Sequence, residues 1–143
     1  MAPVIAWVAV SGKIAMAPLI LFAMIFLWTP PHFWSLALSL RSDYKAVGYP
    51  MMPVARGDKI TKRLIVKYSC VLLFFSVGAV YAGAGILYAI IAVLLGLIFI
   101  YKSIQLLRSD SIQAARGFFR YSIVHLLSLL AALIVDSAVE TMI

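Results

Sequence analysis

The chain has 143 residues, 65% of them hydrophobic and only 12% charged, with a formal net charge of +7. A water-soluble domain is near half apolar and a quarter charged, so too little polar surface is present to cover a globule. This excludes a soluble enzyme; the apolar excess excludes disorder, and the single cysteine, Cys70, excludes a disulfide scaffold. What remains is an all-α integral membrane protein, a single membrane domain of four or five helices at roughly 20 residues per span.

Residues Met1 to Val10 are apolar but too few to span. They lack the basic flank and cleavage site of a signal peptide. They are expected to be the last turns of a helix that begins before the chain does, with a turn at Ser11, Gly12 and Lys13. From Ile14 to Leu40, 27 residues carry no formal charge, which predicts one long span over about 14–40. Pro30 and Pro31 lie inside it. Neither donates a backbone hydrogen bond, so the carbonyls of Phe26 and Leu27 lose helical partners and a kink is expected, beside a protein-lined or wet cavity.

Residues 41–59, RSDYKAVGYPMMPVARGDK, make the only long polar stretch and are expected to form a functional loop with no element of its own. From Tyr68 to Tyr101 there are 34 uncharged residues, too many for one span. Gly78, Gly83 and Gly85 mark the break near Ala82 to Ala84, predicting spans over about 60–82 and 85–107. A second basic loop at 108–115 and a last span over about 116–138 follow. Cys70 reads as a small packing residue of its helix.

Eleven of the twelve Lys and Arg residues fall in two clusters, and Lys13 stands apart. Arg41, Lys45, Arg56, Lys59, Lys62, Arg63 and Lys67 form one group; Lys102, Arg108, Arg116 and Arg120 form another. Basic clusters beside apolar spans set topology, whereas nucleic acid would need a water-facing basic surface, so no nucleic-acid partner is expected. Loops 41–59 and 108–115 therefore share the cytoplasmic or matrix side of a bacterial inner membrane, or of a mitochondrial inner membrane in a eukaryote. The glycine hairpin and the C-terminal Asp136 and Glu140 lie on the other.

At 100° per residue, Thr29, His32, Ser35, Ser39 and Asp43 fall on about one third of the first span, a polar stripe running from mid-membrane to the long loop. Intramembrane polar groups face a bundle interior or cavity, although the serines can equally bond their own helix carbonyls. His32 reads as a packing histidine, a haem or metal contact, or a proton acceptor. His125 has no polar stripe around it and reads as packing. Asp43, with Tyr44, Lys45, Arg56, Asp58, Lys59, Lys62 and Arg63 nearby in sequence, would suit Mg²⁺ and a diphosphate. It would equally suit an interfacial loop on anionic lipid head groups.

The run Leu27-Trp28-Thr29-Pro30-Pro31-His32-Phe33-Trp34-Ser35-Leu36-Ala37-Leu38, then Asp43-Tyr44 and Gly48-Tyr49-Pro50-Met51-Met52-Pro53-Val54, resembles the protoheme IX farnesyltransferases, a branch of the UbiA-type intramembrane prenyltransferases. Pro3-Val4-Ile5-Ala6-Trp7 and Ala115-Arg116 with Phe119-Arg120-Tyr121-Ser122-Ile123 are similar to two further segments of that family. The resemblance implies the C-terminal half of a nine-helix bundle that moves farnesyl from farnesyl diphosphate to a vinyl group of protohaem IX, giving haem O. It implies Mg²⁺ as cofactor, held by Asp43, and catalytic roles for Asp43, Tyr44 and Lys45. It implies substrate contacts from Trp28, Thr29, His32, Trp34, Arg56, Lys59, Lys62 and Arg63. Trp28, Phe33, Trp34 and Tyr44 could also face a carbocation. The superfamily often pairs acids four apart in this loop, but the residue four after Asp43 is Val47, and a single carboxylate is a weak Mg²⁺ site. The first acid-rich loop of the family is absent, so the isolated chain is expected to be inactive without an N-terminal half. A quinone-precursor prenyltransferase and a non-catalytic membrane subunit are the rival readings.

Overall fold

The computed structural model describes the backbone of residues 1–142 and the side chains of residues 1–139. It is built from helices: α1 (Ala2–Ser11), α2 (Met16–Ser39), α3 (Arg41–Ala46), α4 (Met52–Arg56), α5 (Asp58–Gly78), a 3₁₀ turn (Ala79–Ala82), α6 (Ile86–Arg108) and α7 (Ile112–Met142). Among the described residues, four helices are long and apolar enough to cross a membrane. They close a ring in which α2 packs on α5 and α7, and α6 packs on α5 and α7. Helix α1 leans on α2, and Gly12 ends it in the left-handed region at φ 68°.

The inward faces alternate small or hydroxylated residues with large apolar ones such as Ile65, Leu72, Phe99 and Leu129, and the outward faces carry mostly large apolar residues. On α7 the buried positions are Ala115, Phe118, Ser122, His125, Leu129, Ala132 and Asp136, a 3–4 spacing that keeps one seam facing inward. Small residues allow helices to approach closely where lipid supplies no hydrophobic drive. Gly96 on α6 shows the closeness: a Cβ there would lie 3.2 Å from Leu73 Cβ on α5. Buried Ser35, Ser69, Ser76 and Ser103 each donate to a carbonyl one turn back in their own helix, which removes an unpaired hydroxyl from the interior. Cys70, expected to pack, is exposed on the outer face of α5 instead, because the inward register there belongs to Ser69 and Leu72.

Two tethers show which ends lie together. At one end, the Lys62 ammonium of α5 donates to the Ser109 carbonyl and to Asp110 between α6 and α7. This puts the first basic segment beside the second turn. At the other end, the buried Asp136 carboxylate accepts from the N–H groups of Gly85 and Tyr88 at 2.6 and 3.0 Å. It satisfies two of the orphan donors at the start of α6 and favours the positive end of that helix. Gly83, at φ 100°, makes the hairpin turn. The glycine hairpin and Asp136 thus share an end, opposite both basic segments; the Glu140 side chain lies outside the described residues.

Two boundaries depart from the sequence expectation. The 41–59 stretch is not an unstructured loop: it holds α3 and α4 and the first turn of α5. The expected 108–115 loop shrinks to residues 109–111, since α7 begins at Ile112 and Ser111 accepts from the Ala114 N–H. The expected single span is present, since α2 runs from Met16 to Ser39 with Pro30 and Pro31 inside it. Replacing Asp136 by Ala should lower stability by about 1–2 kcal/mol, the usual cost of losing a helix cap, read as a fall in the thermal midpoint in detergent. An unchanged midpoint would contradict the tether.

Candidate functional site

At the basic end, a cleft of about 450 Å³ opens between the end of α2, α3, the start of α5 and the α6–α7 turn, over a floor of Leu38, Leu106 and Ala115. Its charged lining is Arg41, Lys45 and Lys62 against Asp58 and Asp110. Helix α2 delivers the cleft wall because it breaks at Leu40, φ −113° and ψ 21°, and α3 turns Arg41 and Lys45 across the bundle end.

Lys62 is the most constrained of these cations, with a side chain only 7% exposed. A buried ammonium needs partners, and it has the Ser109 carbonyl at 2.6 Å and Asp110 at 2.8 Å. The hydrogen bond from Lys62, and then its charge, hold the exposed Asp110 carboxyl below its ordinary range. Arg41 pairs with Asp58 at 2.7 Å, a largely exposed pair worth under about 1 kcal/mol. Lys45 is the cleft cation for which no ion pair is formed among the described residues.

The structure gathers only part of the expected set. Lys45 and Lys62 line the cleft. Asp43 is exposed on α3 and accepts from its neighbour Ser42 at 3.2 Å; Tyr44 leans on Tyr49, ring centroids 6.0 Å apart. Neither lines the cleft, nor do the exposed Arg56, Lys59 and Arg63. Arg41, Asp58 and Asp110 do; Asp58 stands among the residues grouped with Asp43 in sequence, whereas Arg41 and Asp110 were not candidates. The signal for Asp110 was topological: two basic segments on one membrane side bring their acids together as well as their cations. Among the described residues no three or more His, Cys, Asp or Glu side chains converge. Asp43 therefore offers Mg²⁺ a single carboxylate, and these residues do not by themselves fit a Mg²⁺ site.

Deeper along α2 the expected polar stripe does not stay open. Thr29 Oγ1 donates to the Ile25 carbonyl, and Ser35 and Ser39 donate to His32 and Leu36, while Asp43 lies beyond the helix break. Trp34 packs edge-on to Tyr68, centroids 5.3 Å apart. Trp28 and His32 instead meet α7. The Trp28 indole N–H donates to the Ser122 carbonyl at 2.8 Å, and His32 Nδ1 lies 2.8 Å from Ser122 Oγ. The imidazole is stacked between Trp28 and Phe119, at 4.2 and 4.5 Å between centroids. His125 is a packing histidine: it is 1% exposed and stacks on Phe99 at 4.3 Å.

Folding lowers the Asp110 pKa, so the Lys62 clasp should be intact above the ordinary carboxyl value of about 4 and open only as pH falls through the lower folded value. Asp110→Asn removes a negative charge from the cleft. It should tighten pyrophosphate binding several-fold at pH 7, measured by calorimetry in detergent. Weaker or unchanged binding would show that the cleft does not hold anions.

The UbiA prenyltransferase family model matches residues 1–130. The protoheme IX farnesyltransferase of Erythrobacter litoralis is 44% identical over 140 residues, covering 94% of this chain and 46% of that protein. Those of a Picosynechococcus species and of Nitrosospira multiformis are 44% and 43% identical over 138 residues, covering 94% and 95% of this chain and 44% and 46% of theirs. The chain spans about half the length of the curated relatives it matches. No solved structure matches it.

Proposed function

The chain belongs to the UbiA prenyltransferase family, and on that premise we propose that it serves the transfer of a farnesyl group from farnesyl diphosphate to a vinyl group of protohaem IX, giving haem O for terminal oxidases. The names of its relatives support the substrates. The observation that carries the reading is the cleft with Arg41, Lys45 and Lys62 at one end of a membrane bundle, with aromatic residues below it on the same helix. From Ser39 to His32 is seven residues, about 10 Å of helix.

The chemistry follows from that separation. Breaking the allylic C–O bond sends its electron pair to the diphosphate, and cations positioned before the reaction stabilise the charge that develops there. Lys45 is free to meet the diphosphate directly, while Lys62 holds the 109–111 turn in place. The farnesyl cation must stay dry until the vinyl π electrons form the new C–C bond; the cation this leaves on the vinyl carbon beside the porphyrin then takes up water and loses a proton, which gives the hydroxyalkyl side chain of the product. The span interior supplies that dryness, and the faces of Trp28 and Phe119 can stabilise positive charge. Asp43 stands apart from other carboxylates, so an acid-bearing segment of further polypeptide completes the diphosphate site in this reading. The positive-inside rule puts the cleft on the cytoplasmic or matrix side of an inner membrane.

Haem O formed by membranes carrying the full-length protein, separated by chromatography after supply of farnesyl diphosphate and protohaem, tests the reading. Lys45→Ala should raise KM for farnesyl diphosphate about tenfold, the worth of one charge-assisted hydrogen bond, with protohaem saturation unchanged. An aromatic quinone precursor should neither be prenylated nor compete. Prenylation of that acceptor in place of protohaem would overturn the reading.

A further inference from the structure

Lys59 and Arg63, expected at the substrate, stand outside the cleft, and Lys67 follows them one turn deeper; all three are exposed. With Lys59 at zero and about 100° per residue, Arg63 falls near 40° and Lys67 near 80°. The seam that α5 buries, Thr61, Ile65, Ser69, Leu72 and Ser76, falls between about 200° and 280° on the same scale. The three cations therefore occupy the face turned away from the bundle. Asp58, the one acid of α5, lies on the seam side, where it meets Arg41. Among the described residues none of the three cations forms an ion pair.

Their depth narrows what can meet them. The span Asp58–Ala82 has 25 residues, about 37 Å of helix against about 30 Å of hydrocarbon. With the hairpin end at the far boundary, Lys59 stands above the near boundary, Arg63 at it, and Lys67 about 7 Å below it. An ammonium at that depth is costly alone, but its stem is long enough to carry it up to the phosphate level. Exposed Cys70 and Phe74 continue the same face downward, at about 20° and 60°. The face is thus cationic at its upper end and apolar beneath, the pattern of a phosphate above acyl chains. A protein partner would have to bring carboxylates into the membrane to match it, whereas a lipid phosphate is already at that level.

We infer that Lys59, Arg63 and Lys67 form a docking surface for an anionic phospholipid of the leaflet at the basic end, with its phosphate between Arg63 and Lys67 and its chains along Cys70 and Phe74. The planar guanidinium of Arg63 suits two phosphate oxygens at once. The surface lies on the opposite side of α5 from Lys62, so it is separate from the cleft. The inference rests on the membrane reading of the chain and not on the prenyl-transfer reading.

Native mass spectrometry of the full-length protein in detergent, titrated with phosphatidylglycerol or with phosphatidylcholine of the same chains, tests the inference. The unsubstituted protein should retain phosphatidylglycerol in preference. Replacing Lys59, Arg63 and Lys67 together by Gln should weaken phosphatidylglycerol binding at least about tenfold, since one cation beside an anionic membrane surface is worth about fivefold. Phosphatidylcholine binding and the thermal midpoint should not change, because the three side chains take no part in packing. Lys67→Gln alone, the deepest change, should weaken phosphatidylglycerol about fivefold. Arg116→Gln with Arg120→Gln, which removes two exposed cations of α7, should leave the preference intact. Pyrophosphate, the probe of the cleft, should not displace the lipid; displacement would move the lipid to the cleft and overturn the assignment. Equal retention of both lipids by the unsubstituted protein, or an equal loss in the α5 and α7 variants, would also overturn it.

Discussion

A peptide or hydroxyl group left unpaired in hydrocarbon costs several kcal/mol, and most of this bundle's arrangement follows from meeting that demand inside the protein. Buried serines return their hydrogens to their own helices, so they act as small residues and let spans approach. The first turn of α6 starts near a hairpin and has no partner of its own; Asp136 on α7 supplies one. Trp28 hands its indole hydrogen across to the Ser122 carbonyl. Each of the two interhelical solutions also fixes a distance between elements far apart in sequence. Among the described residues, Asp58 Oδ1, the Tyr121 hydroxyl and the His125 nitrogens are buried without a hydrogen-bond partner.

The same demand separates the two ends of the molecule. Cations stay hydrated or paired, so Arg41, Lys45 and Lys62 collect at the end where α2 breaks and α3 crosses. The opposite end holds a mainly apolar cavity of about 460 Å³ lined by residues such as Trp7, Leu21 and Met24. On the proposed reading a diphosphate goes with the first and an isoprenoid chain with the dry interior. His32 lies between, held by aromatic faces and by Ser122. The division matches a reaction that must stabilise an anion at one point and protect a cation at another.

The spans were legible because hydropathy and glycine placement act over tens of residues. The break near Ala82 to Ala84 lies at Gly83, and Ile14 to Leu40 corresponds to α2. The short elements were not legible. Five- and six-residue helices such as α3 and α4 have no periodicity to read, and they form because Leu40 and the Met51–Pro53 segment turn the chain. The serines of the polar stripe bond their own helix carbonyls, as the sequence reading allowed, and Thr29 does the same, while Asp43 falls out of the register because α2 ends before it. Lys45 and Lys62 reached the cleft, while Arg56, Lys59 and Arg63 did not, because a charge cluster in sequence does not say which side of a short helix each cation takes. Ser122 carries no signal alone; its importance arises only when α7 meets α2.

The central claim is spatial: the diphosphate end of the prenyl donor sits in the cleft of Arg41, Lys45 and Lys62. A farnesyl diphosphate analogue with a photoreactive group beside the diphosphate, irradiated in membranes carrying the full-length protein and mapped by peptide mass spectrometry, tests it directly. Label on α3, the first turns of α5 or residues 109–111, displaced by farnesyl diphosphate, is the outcome the account predicts. Displaceable label at the Gly83 hairpin end, with none at the cleft, would contradict it.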